Sequence, residues 1–108
     1  MRSLRTHALL AAALVACAAS PAAGGDLEPF ARGAYSNIRK AHAGRALVVH
    51  FWSLTCPTCV AELAEWGRTA RERRDVDFVF VNADGAGDRA RVDARIDKAG
   101  LRQEANYR

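Results

Sequence analysis

Residues 46–63 read ALVVHFWSLTCPTCVAEL, and this stretch decides the fold. Ala46 to Trp52 is a continuous β-branched and aromatic run, the pattern of a strand buried on both faces of a parallel sheet. Two cysteines with two residues between them follow at once. From Pro57 to about Arg74 the pattern turns helical. Val60, Leu63, Ala64, Gly67 and Ala70 share one face; Glu62 and Glu65 occupy early turns, and Arg68, Arg71, Arg73 and Arg74 crowd the end, as the helix dipole favours. A strand feeding directly into a helix places Cys56 near the N-cap and Pro57 at the first helical position, where proline is favoured.

Working outward, VDFVFVN (residues 76–82) predicts a second buried strand. Tyr35, Ile38 and Ala41 or His42 recur at helical spacing, so a first helix is expected from Ala34 to Ala43, stopped by Gly44. After the loop ADGAGD, Asp88 is placed to cap a last helix over Arg89 to Ala99. Val92, Ile96 and Ala99 form its apolar stripe and Gly100 ends it. The closing LRQEANYR is read as supplying no strand. The order helix–strand–helix–strand–helix is an α/β arrangement, its two strands parallel because a helix connects them.

The first residues read differently. Arg2 and Arg5 precede an apolar Ala/Leu/Val run from Ala8 to Ala19, and no acid occurs before Asp26. A basic start, an apolar run of about 7–15 residues and small residues after it describe an export signal. The run falls short of the about 20 residues that span a bilayer. Residues 1–19 are thus expected to be a signal peptide, 20–29 a tether rich in Gly and Pro, and 30–108 the domain. Leu14-Val15-Ala16-Cys17 resembles a bacterial lipobox, which makes Cys17 a lipidation candidate behind a signal of residues 1–16. The rival is cleavage between Ala18 and Gly24 with Cys17 discarded. Either way Cys56 and Cys59 become the only thiol pair, in an oxidising compartment.

Charge argues against a nucleic-acid partner. The net charge is +4, but Arg2 and Arg5 lie in the leader. The one dense basic run, RTARERRD (residues 68–75), sits at a helix end and has no interleaved aromatic residues.

Helix N-terminal N–H groups and the positive dipole end stabilise a thiolate on Cys56, and such cysteines titrate at roughly 3.5–7.5. Cys59, one turn on, lies on the same side but deeper. It can close a disulfide with Cys56 and resolve a mixed disulfide formed there. Structural zinc needs about four ligands, and only His42 and His50 remain, so no metal site is expected. Copper(I), content with two thiolates, stays open as an alternative, as do two inert buried thiols. Trp52 and Trp66 read as core aromatics, with Trp52 close enough to shape the site. Asn82 and Asp84 end a parallel strand where α/β sites gather, although turn work is their expected role.

The stretch from Val48 to Leu63 resembles the active-site segment of the thioredoxin superfamily: a buried strand, Phe-Trp, then Cys-x-x-Cys opening a helix. Cys56-Pro57-Thr58-Cys59 followed by Glu62 is similar to the exported TlpA/ResA-like thiol–disulfide oxidoreductases, and the likeness runs from about Ala34 to Leu101. The resemblance implies a thioredoxin-like fold and disulfide reduction or exchange without a cofactor. Cys56 would be the attacking thiol and Cys59 the resolving one, with Pro57, Thr58, Trp52 and Glu62 in support. It also implies a protein disulfide as substrate, an upstream thiol reductant and a periplasmic location, membrane-attached if Cys17 is lipidated. Three departures stand out. His50 occupies a strand position where thioredoxins keep a buried acid, and core packing is its favoured role. Ala64 replaces a proline common in the branch. Finally, the last proline is Pro57, so the cis-proline strand, a further strand and the last helix are absent. The expectation is therefore an incomplete thioredoxin-like domain, a piece of a longer protein or a non-catalytic remnant.

Overall fold

The computed structural model describes residues 27–108. The expected signal peptide, the lipobox-like stretch ending at Cys17 and the expected tether up to residue 26 lie outside the described residues. No helix among those described is long and apolar enough to cross a membrane.

The chain runs α1 (Ala34–Ala41), β1 (Ala46–Trp52), α2 (Pro57–Glu72), β2 (Val76–Asn82), a 3-10 turn (Ala86–Asp88), α3 (Arg89–Lys98) and β3 (Ala105–Tyr107). The strands form one sheet in the order β1-β2-β3, every pairing parallel. β1 and β2 align end to end, Ala46 opposite Val76 and Trp52 opposite Asn82. Both bring their C-terminal ends to the same edge of the molecule, where β1 hands over to Cys56.

Alternation along β2 separates two cores. Val79 and Val81 meet Ile38 of α1, with Phe30, Leu47, Val49 and Tyr107 around them. Phe78 and Phe80 face the other way, onto Leu63 and Ala70 of α2 and Val92 and Ile96 of α3. The molecule is thus α1, sheet, then α2 with α3, and β2 is buried on both sides as a central strand should be.

β1 departs from its expectation. It is an edge strand, most of its residues are half-buried, and Phe51 is 53% exposed. α1 covers one of its faces and α2 the other, but among the described residues only one strand neighbours it, which leaves its free edge open.

The C-terminal segment departs further, because it does supply a strand. α3 ends in a Schellman turn: Gly100 takes φ +70°, its N–H donates to the Asp97 carbonyl, and the Leu101 N–H donates to that of Ile96. That turn drives Leu101 into the core, fully buried. The Asn106 side-chain amide then donates to the Leu101 and Glu104 carbonyls, each at 2.8 Å, holding the bend. Ala105 to Tyr107 pairs with Val79 to Val81 as a result. Leu27 to Pro29, assigned to the tether, are tied in here too. Leu27 is buried in the main core, and Glu28 bridges Tyr107.

Smaller differences follow from local competition. α1 stops at Ala41 with His42 at its C-cap, because His42 donates or accepts at 2.7 Å with Asp77 at the start of β2. Asp88 precedes α3 as expected but makes no capping bond; its carboxylate instead accepts from Arg91 at 2.8 Å.

Candidate functional site

The edge carrying the C-terminal ends of β1 and β2 holds the cysteine pair. A turn closes after β1, the Cys56 N–H donating to the Ser53 carbonyl at 3.2 Å. Cys56 is then the N-cap of α2 with extended φ and ψ, and Pro57 starts the helix. In that position the Cys59 N–H donates to the Cys56 Sγ at 3.3 Å, and the Val60 N–H donates to the Cys56 carbonyl. The sulfur thus occupies the place an N-cap oxygen usually takes, at the positive end of a 16-residue helix.

Cys56 and Cys59 are joined as a disulfide, their Cα atoms 5.3 Å apart. Both residues are half-buried, and they differ in surroundings. Cys59 packs against the main core, which includes Trp52 and Leu63, whereas Cys56 is not part of that cluster. Trp52 is 2% exposed, so it shapes the floor of the site rather than its surface. Pro57, Thr58 and Glu62 are exposed.

A brace that composition did not reveal holds the loop before Cys56. The Asp84 carboxylate accepts the Leu54 N–H at 2.8 Å and the Asn82 side-chain amide at 2.7 Å, while Asn82 Oδ1 accepts the Asp84 N–H at 3.0 Å. The Ala83 N–H donates to the Trp52 carbonyl. Asn82, the one buried polar residue among those described, therefore ties the end of β2 to the approach to the cysteines. Turn work was the expected role of this pair. The signal that could have located the brace is an Asn and an Asp at the C-terminal end of a central parallel strand.

His50 lies within β1, six residues before Cys56. Its ring packs 5.0 Å from Trp66 and 5.9 Å from Phe80, centroid to centroid, which agrees with the packing role favoured for it. Its Nε2 is shielded from solvent and has no hydrogen-bond partner. Burial lowers the imidazole below its ordinary value of 6.5, and the nearby Glu62 charge opposes that only in part. The folded chain therefore resists protonating His50 when the unfolded chain has already done so. In the window below about 6.5 the unfolded state binds more protons, and stability falls as pH falls. His50→Leu is expected to remove this component: urea midpoints at pH 7.5 and 5.5 should differ less for the variant than for the wild type. Equal differences would mean that the histidine is not buried neutral.

No group of three or more His, Cys, Asp or Glu among the described residues is arranged to hold a metal ion. The chain matches no protein-family model, no curated protein and no solved structure.

Proposed function

We propose that this chain is an exported thiol–disulfide oxidoreductase, a partial thioredoxin-like domain of the TlpA/ResA-like kind, working through Cys56 and Cys59. The observation that carries the reading is the Cys56 sulfur at the N-cap of α2, receiving the Cys59 N–H at a strand-to-helix junction. A thiolate there has an aligned donor and a helix dipole to stabilise it. The leader-like residues 1–19 support export, and the parallel α/β sheet is compatible with the fold.

In the forward direction, the Cys56 thiolate attacks one sulfur of a partner protein's disulfide. A Cys56–partner bond forms as the partner's own S–S bond breaks, and the displaced sulfur leaves as a thiolate. Deprotonated Cys59 then attacks Cys56 Sγ, breaking the mixed disulfide and releasing the second partner sulfur. Two electrons reach the partner, and the protons given up by Cys56 and Cys59 end on its two thiols. The Cys56–Cys59 disulfide that remains is the state of this structure, and a dithiol reductant upstream returns it to the reduced form. Pro57 starts the helix, Thr58 continues its first turn between the two cysteines, and the Asn82–Asp84 brace fixes the approach.

The test is reduction of a model peptide disulfide by the reduced chain, with one disulfide consumed per chain. Stoichiometric retention of copper(I) without exchange would replace this reading with a metal-binding one. Absence of a cooperative unfolding transition would point to a non-catalytic remnant.

A further inference from the structure

A groove lies between α2 and α3, beginning at residues that flank the cysteine pair in sequence, and its charge is one-sided. Two contiguous cavities, of about 420 and 280 Å³, share Val60, Arg95 and Lys98. The end nearer the disulfide is lined by Leu54, two residues before Cys56, and by Val60, next after Cys59. Its floor is apolar, continuing over Ala64, and its wall carries Arg91, Arg95 and Lys98, with no acid lining either cavity.

The wall follows from the spacing on α3. Arg91, Arg95 and Lys98 recur at i, i+4 and i+7, one stripe of the helix. The acids of α3 are engaged elsewhere: Asp93 and Asp97 pair with Arg102 beyond the helix. Arg91 is partly neutralised by Asp88, but Arg95 and Lys98 have no acidic partner among the described residues. Cations of one sign over an apolar floor attract a segment of opposite charge that can also bury some carbon. The stripe is roughly 10 Å long at 1.5 Å per residue. That length corresponds to about three residues of extended chain at about 3.3 Å each.

We propose that this groove selects the redox partner: it docks an acidic polypeptide segment, with carboxylates within about three residues of the partner's reacting cysteine. The proposal rests on the exchange function above and adds the substrate class. Docking places the partner's sulfur beside Cys56; the bonds made and broken are those already described.

Two synthetic peptides test it, each with a single cysteine blocked as a mixed disulfide. The three residues after the cysteine are Glu and Asp in one peptide, and the matching Gln and Asn in the other. The reduced wild-type chain should reduce the acidic peptide about fivefold faster at low salt, the scale of two or three exposed charge pairs. The ratio should approach one near 0.5 M salt. R95Q/K98Q should bring the ratio to near one at low salt, whereas R32Q/K40Q, which removes equal charge around α1 on the opposite face of the sheet, should keep it. A ratio near one in the wild type, or equal loss in both double variants, overturns the groove. Serine versions of the same peptides, followed by fluorescence anisotropy, separate docking from chemistry. Preferential binding of the acidic serine peptide without any exchange would sink the oxidoreductase reading and leave the groove standing. Binding of the chain to anionic vesicles, with no preference between peptides, would assign the stripe to a membrane surface and overturn the proposal.

Discussion

Cys56→Ser is expected to lose reduction of a peptide disulfide altogether, while Cys59→Ser keeps the first half of the reaction and stalls. The asymmetry follows from position. Cys56 sits at the helix N-cap and outside the core cluster, with the Cys59 amide aimed at its sulfur. Cys59 lies within the first turn of α2 and packs against the main core. A serine hydroxyl at 56 cannot become an anion near neutral pH, so no covalent intermediate forms. A serine at 59 leaves the attack intact but removes the group that resolves it. Cys59→Ser should therefore accumulate a chain–peptide mixed disulfide, seen by mass spectrometry as an adduct on Cys56. An adduct on residue 59 of the Cys56→Ser variant, formed at the rate of the other, would reverse the roles.

Gly67→Ala is expected to destabilise the domain by about 2 kcal/mol, against the usual direction of that substitution in a helix. Alanine in a helix interior is favoured over glycine by about 0.8–1.0 kcal/mol. Here, however, a Cβ on Gly67 would fall well inside contact distance of the Ala99 carbonyl oxygen and 3.2 Å from Leu101 Cδ2. The oxygen belongs to the backbone at the Schellman turn, where Gly100 and Leu101 are both hydrogen-bonded, so it cannot swing aside as a side chain would. Overpacking costs typically about 1–3 kcal/mol, and with a backbone obstacle the upper part of that range wins over the propensity gain. Urea unfolding measures it directly. Unchanged or raised stability would mean that α2 and the end of α3 do not approach as closely as this structure has them.

Much of the framework was legible because it rests on local rules. The β-branched runs of Val76–Asn82 and Ala46–Trp52 mark their strands to the residue. Pro57 starts α2 and Gly100 ends α3 through conformational preferences that need no tertiary partner. What escaped depends on residues distant in sequence. β3 has three residues, too few for a two-residue period to register, and it forms because the turn after α3 delivers it beside β2. The Asp84 brace on Leu54 spans thirty positions. Gly67 reads as an ordinary member of an apolar face until Ala99 is placed against it. The cationic groove is similar: Arg95 and Lys98 look like solvated helix charges until α2 supplies the opposite wall beside the cysteines.

The central claim is that helix geometry makes Cys56 a thiolate at neutral pH. It is tested most directly by the pH dependence of iodoacetamide alkylation in the reduced Cys59→Ser variant, where Cys56 is the sole thiol of the domain. The predicted result is a rate that levels off with a midpoint below about 7.5, in the range of cysteines at helix N-termini. A midpoint at or above about 8.5, the value of a free cysteine, would contradict it.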